Sequence, residues 1–298
     1  MFHVTEARPD ERSGTPGGRF TPCAARPRQV AASLAYLMPT QERPYTYMYD
    51  PPGGQARENF EIDIRQSPII DARSVAASAS IQVEGFSLWD AASEVADFHD
   101  DEAVRNVYYR EAAELALAAT GAKQAHVFDH LVRQRESGRP ALTIGRGGDG
   151  SKPAANGRIH NDYTEASGRK RLELVLGDAV AAVERYSIVN IWRSIRGPVL
   201  DTPLAVCDAW TIAAADLVDC EIRYQARKGE IYLLQHSPRH RWFYYSEMDR
   251  HEALVFKQYD SQVNGVARFT PHVAFDLPVV PPGAPLRESI ELRCLVVY

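Results

Sequence analysis

The residues of this 298-residue chain best placed to do chemistry are His160-Asn161-Asp162. In extended backbone, residues i and i+2 point to one face, so this imidazole and this carboxylate converge. They make two thirds of a facial triad, in which two histidines and one carboxylate hold a non-haem Fe(II) and leave positions open for cosubstrate and oxygen. A third ligand must come from downstream, where His236, His240, His251 and His272 are the candidates. His272 lies in FTPHVAF, a strand-like run, and after the loop DLPVVPPGAP the chain reaches Arg287-Glu288-Ser289 at the start of the last strand. On that adjoining strand the Arg287 guanidinium and the Ser289 hydroxyl share a face, which suits bidentate capture of a carboxylate plus one further hydrogen bond. Each piece alone has an ordinary reading: a surface turn for the HxD, a surface ion pair for Arg287. The order HxD, strand histidine, Arg-x-Ser is what makes the pattern specific. His240 also follows a proline and precedes a β-prone run, and it stands as the rival to His272.

Such a set needs a stiff frame, and the chain after Tyr186 supplies one. SIVNIW, PLAVCDAW, EIYLLQ, WFYYSEM, ALVFKQY, FTPHVAF and SIELRCLVV are short β-runs separated by Pro, Gly and Asp turns. They predict a mainly β fold with flanking helices, a sandwich or jelly roll. Upstream, YTYMYD, the PPGG turn and the alternating FEIDIRQ read as an opening β-region. Between Asp100 and Gly121 a helical period places Val104, Val107, Tyr108, Ala112, Leu115 and Ala119 on one face, with Gly121 as C-cap. AHVFDHLVRQ is strand-like, the polar glycine-rich run 137–158 has the composition of a lid, and RKRLELVLGDAVAAVERY suggests a second helix. Residues 1–30, rich in Arg, Pro, Gly and Thr without periodicity, read as a disordered or arm-like tail. No repeat or linker divides residues 31–298, which are expected to form one domain.

Composition narrows the function classes. Lys and Arg number 34 against 39 Asp and Glu, a net charge of −5, so no basic field exists to hold a nucleic acid. No run of about 18 apolar residues suggests a membrane span, and the first twenty residues lack the apolar stretch of a signal peptide. A cytoplasmic protein is expected. Cys23, Cys207, Cys220 and Cys294 lie far apart, which argues for reduced, incidental thiols.

From Tyr108 onward the sequence resembles the Fe(II)/2-oxoglutarate-dependent oxygenases, and within them the hydroxylase/desaturase family of fungal and actinobacterial natural-product clusters. The blocks that carry the resemblance are Tyr108-Tyr109-Arg110-Glu111, Thr120-Gly121-Ala122, His160-Asn161-Asp162-Tyr163-Thr164, Asn190-Ile191-Trp192-Arg193, Pro203-Leu204-Ala205, His240-Arg241-Trp242, the run Phe256 to Ser261, Pro271-His272-Val273-Ala274-Phe275 and Arg287-Glu288-Ser289-Ile290-Glu291. The resemblance implies a double-stranded β-helix (jelly roll, cupin-like). It implies that His160, Asp162 and His272 hold Fe(II), and that Arg287, helped by Ser289, anchors the C5 carboxylate of 2-oxoglutarate. With O2 the family hydroxylates, desaturates or cyclises small natural products by C–H abstraction, releasing succinate and CO2. The span from His272 to Arg287 is longer than the superfamily's usual one, so the proline loop has to bulge without shifting the strands.

Further residues are expected around the site. Tyr163 is expected at the pocket, with Trp192 and Trp242 as pocket aromatics, although buried tryptophans are more often plain core. One of Asn190 and Arg193 should face the interior, and Lys257 is a second candidate for the cosubstrate carboxylate. The tail has the reach to wrap a second subunit of a homodimer. Two other readings compete: a jelly-roll partner that binds a small molecule or an enzyme without turnover, and a cupin-type metal enzyme with no cosubstrate. The second has no use for Arg287.

Overall fold

A computed structural model describes residues 28–75, 77–138, 142 and 153–298. Nearly all of the expected tail and most of the expected lid over 137–158 lie outside the described residues. In chain order the strands are β1 (Gln29–Leu37), β2 (Tyr45–Tyr47), β3 (Ile62–Asp71), β4 (Phe86–Asp90), β5 (Gln124–Gln134), β6 (His160–Asn161), β7 (Tyr186–Ser194), β8 (Leu204–Cys207), β9 (Leu217–Arg223), β10 (Lys228–Leu234), β11 (Trp242–Tyr244), β12 (Glu252–Asp260), β13 (His272–Ala274) and β14 (Glu288–Val297). They form a larger sheet of order β1-β3-β11-β8-β13-β6-β10-β9-β2 and a smaller one of order β4-β12-β7-β14-β5. The two curl around a shared interior, the jelly roll expected from the sequence. Phe86, Trp192, Leu254 and Phe256 of the smaller sheet meet Leu204, Val206 and Phe243 of the larger one there.

The smaller sheet is covered on both faces, so its strands read as nearly continuous apolar runs rather than alternating ones. Every residue of β7, YSIVNIWRS, is buried. Its Val189 and Ile191 join Val255, Ile290, Leu292 and Cys294 against the helices, while Ile188, Asn190 and Trp192 face inward. The helical cover is α1 (Asp101–Ala103), a π-turn over Val104–Tyr108, and α2 (Tyr109–Thr120). Asp100 accepts from the amides of Glu102 and Ala103 at the start, and Gly121 at φ 72° ends the run, as its position in the sequence predicts. The wider π-turn turns Tyr108 inward, where its hydroxyl accepts from Arg193 Nε at 2.7 Å.

The second helix, α3 (Glu165–Leu176), differs in extent from the sequence reading. It starts earlier because Thr164 caps it, with the reciprocal bond from Ser167. It stops earlier because Gly177 takes φ 53° and the chain tightens into a 3-10 turn over Gly177–Ala182. β9 and β1, which starts at Gln29 inside the expected tail, are not among the expected strands. Among the described residues no helix is long and apolar enough to cross a membrane.

Candidate metal centre

The HxD motif sits where β6 runs out beside the start of α3. His160 pairs with His272 of β13 on one side and Leu233 of β10 on the other. His272 in turn pairs with Val206, an interior residue, so both imidazoles point into the barrel. One ligand atom each from His160, Asp162 and His272 lies within 4.8 Å of the others. The two rings stand 4.3 Å apart between centroids, and His160 Nε2 is 3.4 Å from Asp162 Oδ1.

The residue between the two HxD ligands points the other way and does the fastening. Asn161 Nδ2 donates to the carbonyls of Tyr163 and Gln258, and its Oδ1 accepts from Thr270 N–H. Gln258 reaches back, its Oε1 accepting from Asp162 N–H at 2.7 Å. It can do so because β12 bulges between Lys257 and Tyr259, and a bulge re-aims the extra side chain. The backbone of the motif is thus tied to both sheets.

Asp162 is equally fixed. Its Oδ2 accepts from Arg293 Nε and from Asn190 Nδ2, each at 2.9 Å, leaving Oδ1 toward His160. Burial would raise this carboxyl, but Arg293 and the two imidazoles outweigh it and hold it well below the usual carboxylate range. Burial, reinforced by His160, pushes His272 well below the ordinary histidine value, so it stays neutral, as a metal ligand must. His272 Nδ1 is buried without a partner, and His160 Nδ1 lies 2.9 Å from the Arg158 carbonyl, the kind of bond that fixes a ligand ring. Two imidazoles and an ionised carboxylate with an unused buried nitrogen fit a divalent ion such as Fe(II).

Along the facing strand, β14 puts Arg287, Ser289, Glu291 and Arg293 in one inward row. Arg287 is 3% exposed, its Nη1 donates to the Thr202 carbonyl, and its guanidinium lies 5.7 Å from the Trp192 ring. Its Nε and the Ser289 hydroxyl are both buried with no partner. Burial and the nearby Arg133 lower the Arg287 guanidinium to about 10, which leaves it charged at neutral pH. A buried cation beside an unpaired hydroxyl fits a carboxylate group, such as one end of 2-oxoglutarate. β13 and β14 belong to opposite sheets, so the Arg-x-Ser strand faces His272 across the interior and does not adjoin it as the sequence reading had it. The long loop between them is anchored by Leu277 N–H on the Asp201 carbonyl.

The other residues singled out from sequence separate cleanly. Tyr163 is buried and lines a cavity with Asp162 and Arg293, and Trp192 is interior. Trp242 is not: it pairs with Cys207 and points to the opposite face of the sheet from His272, where its indole donates to Tyr36 Oη at 2.7 Å. His240 is also spent outside the triad, 3.2 Å from Asp216 Oδ2 and stacked on Tyr36. Lys257 is fully buried on Asp260 and Gln82. Of the pair on β7, Asn190 is the inward one. Arg293 was not singled out at all, although the alternation Arg287, Ser289, Glu291, Arg293 along an otherwise apolar strand was there to be read.

Comparison with known proteins agrees with this architecture. A family model described as an oxidoreductase/YMDC permease-like domain matches residues 34–297. An Fe(II)/2-oxoglutarate-dependent dioxygenase, nvfI, of Aspergillus novofumigatus is 34% identical over 271 residues, covering 86% of this chain and 91% of that one. A hydroxylase/desaturase, efuI, of Hormonema carpetanum is 31% identical over 247 residues, covering 76% and 82%. Among solved structures, an iron and alpha-ketoglutarate-dependent endoperoxidase, NvfI, superposes with a TM-score of 0.80 at 28% identity, covering 90% of this chain and 98% of that one. The chain belongs to this oxidoreductase family, and within it to the Fe(II)/2-oxoglutarate-dependent dioxygenases of the hydroxylase/desaturase type.

Proposed function

We propose that His160, Asp162 and His272 hold Fe(II), that Arg287 and Ser289 hold the distal carboxylate of 2-oxoglutarate, and that the enzyme oxidises a C–H bond of a small natural product. The observation that carries this is the coincidence of three ligand atoms within 4.8 Å and, across the same interior, a buried guanidinium and hydroxyl with unused donors. The relatives named as hydroxylase/desaturases and as an endoperoxidase support hydroxylation, desaturation or ring closure as the outcome. When bound, iron and 2-oxoglutarate supply with O2 the oxidising power for hydrogen-atom removal, with succinate and CO2 as co-products.

The chain's own residues do the positioning. Arg293 and Asn190 fix the Asp162 carboxylate from behind, so the ligand set is arranged before a metal arrives. Arg287 is buried over Trp192, where an ionic contact is little screened by water. Trp192, Phe256 and Tyr163 wall the interior, which limits water around the reacting carbon. The deciding experiment is anaerobic addition of Fe(II) and then 2-oxoglutarate, following the visible charge-transfer band of the chelate. The band should form in the wild type and in His240→Ala and vanish in His272→Ala. Its absence from an iron-loaded wild type would overturn the assignment.

A further inference from the structure

A cavity beside Asp162 carries charge that the metal centre does not use. It has a volume of about 260 Å³ and runs from Asp162, Tyr163 and Arg293 outward between α3 and the β9–β10 hairpin. Five cations line it, Lys170, Arg171, Arg227, Lys228 and Arg293, against three carboxylates, in a chain whose net charge is −5. The carboxylates are already engaged. Asp162 and Asp129 each accept from Arg293, and Glu230 lies on Arg43 and Thr164. Lys228 is engaged too, at 3.0 and 3.1 Å from the two oxygens of Glu221. Lys170, Arg171 and Arg227 therefore remain with no carboxylate partner among the described residues.

Lys170 is exposed, but the two arginines are each held against an aromatic ring. The Arg171 guanidinium lies 4.6 Å over the Phe128 ring and meets the Tyr163 hydroxyl, while its Nε is shut from solvent with no acceptor. An orphaned buried donor on a cation is costly unless something completes it. Arg227 stacks 3.9 Å over Tyr224. A guanidinium held against a ring has its planar donor fork restrained, and such a fork captures planar or tetrahedral oxyanions. Ile222 and Ile231 add apolar wall to the cavity, and Leu174 lies at its exposed side.

We propose that this cavity seats an oxyanion on the substrate itself, a carboxylate or a phosphate, held by Arg171 and Arg227 with Lys170 alongside, while the substrate's apolar body extends past Tyr163 toward Asp162. The assignment of the occupant as substrate rests on the reading of Asp162 as a metal ligand; the anion site itself does not. It tethers the substrate at the end remote from the reacting carbon, where binding energy can be used to orient the C–H bond.

The test is calorimetric titration with octanoate, octyl phosphate and 1-octanol, with Mn(II) and N-oxalylglycine saturating and again without them. N-oxalylglycine fills the 2-oxoglutarate position, so an anion cannot be counted there. At least one anion should bind tenfold or more tightly than octanol, and the stronger of the two identifies the headgroup. Arg171→Gln with Arg227→Gln should remove at least tenfold of that preference and leave octanol binding unchanged. Arg227→Gln alone, at an exposed position in the hairpin, should remove part of it and guards against misfolding of the pair. Octanol binding as tightly as both anions, no anion binding, or an unchanged preference in the variants would overturn the proposal. Failure of Mn(II) to bind would instead count against the metal centre, and in the titrations without metal the loss of anion preference in the arginine variants, which leave Arg287 in place, would still decide the anion site.

Discussion

Arg293 Nε donates to Asp162 Oδ2 at 2.9 Å, while the two other nitrogens of the same guanidinium hold Asp129 and Glu291. One side chain thereby ties the carboxylate of the HxD motif to β14 and to β5. Asn190 supplies the second bond to the same oxygen. The carboxylate arrives at the triad with one oxygen already committed.

Arg293→Ala should therefore weaken divalent metal binding by roughly 10- to 100-fold, the usual cost of losing a group that orients a ligand. Asn190→Ala should cost less, because Arg293 keeps the carboxylate in place. Mn(II) titration followed by electron paramagnetic resonance measures both, and an unchanged affinity in Arg293→Ala would sink the idea.

Arg287 and Lys257 are both buried cations near the barrel, and they should respond oppositely. Arg287→Ala removes charge-assisted donors and should raise the KM for 2-oxoglutarate by roughly tenfold or more. Lys257 faces away from the interior, held by Asp260 and Gln82. Lys257→Ala leaves Asp260 short of one partner and should cost about 3 kcal/mol of stability without moving that KM. Steady-state kinetics and urea melts on the two variants separate the roles.

The pH dependence of stability has a contribution from His240. Burial pushes its imidazole below the ordinary value, outweighing the pull of Asp216, and His236 and Arg239 add to the lowering. A histidine with a lowered folded value takes up its proton more readily when unfolded, so its stabilising share is complete above the unfolded value of about 6.5. That share is lost as the pH falls from there toward the folded value. His240→Gln should flatten the fall in stability between neutral and mildly acidic pH; urea melts with an identical pH slope in both proteins would refute this.

Gly168 lies on the face of α3 that meets Tyr259, and a Cβ there would come within 2.9 Å of the ring. Gly168→Ala should push the helix off β12 and destabilise the fold by about 1–3 kcal/mol. Tyr259 follows Gln258, whose side chain holds the Asp162 amide, so metal affinity should fall as well. A thermal melt and the same Mn(II) titration would show both effects, or neither.

Much of this was legible in the sequence because the signals were local. Period-2 runs located most of the later strands, and Asp100 and Gly121 bracketed the helical cover. The two ends of the site, HxD and Arg-x-Ser, could be picked out because each is set by alternation within one strand. What could not be read was which face of a strand turns inward when both are buried. β7 gives no polar–apolar contrast, so Asn190 and Arg193 were indistinguishable, and Trp242 looked as eligible as Trp192. The pairing of Asp162 with Arg293 joins positions 131 residues apart, a relation made by sheet order alone.

The inward row on β14 also has a bearing on how the chain folds. Its outward neighbours Ile290, Leu292, Cys294 and Val296 belong to the apolar layer under α2. A slip of β14 by one residue against β7 would exchange the two sets, driving two arginines and a glutamate into that layer. Such a misaligned barrel would be heavily penalised before any ligand is present. The same side chains that equip the interior for chemistry thus act as a registration key, and β14 has one alignment in which it can close the barrel.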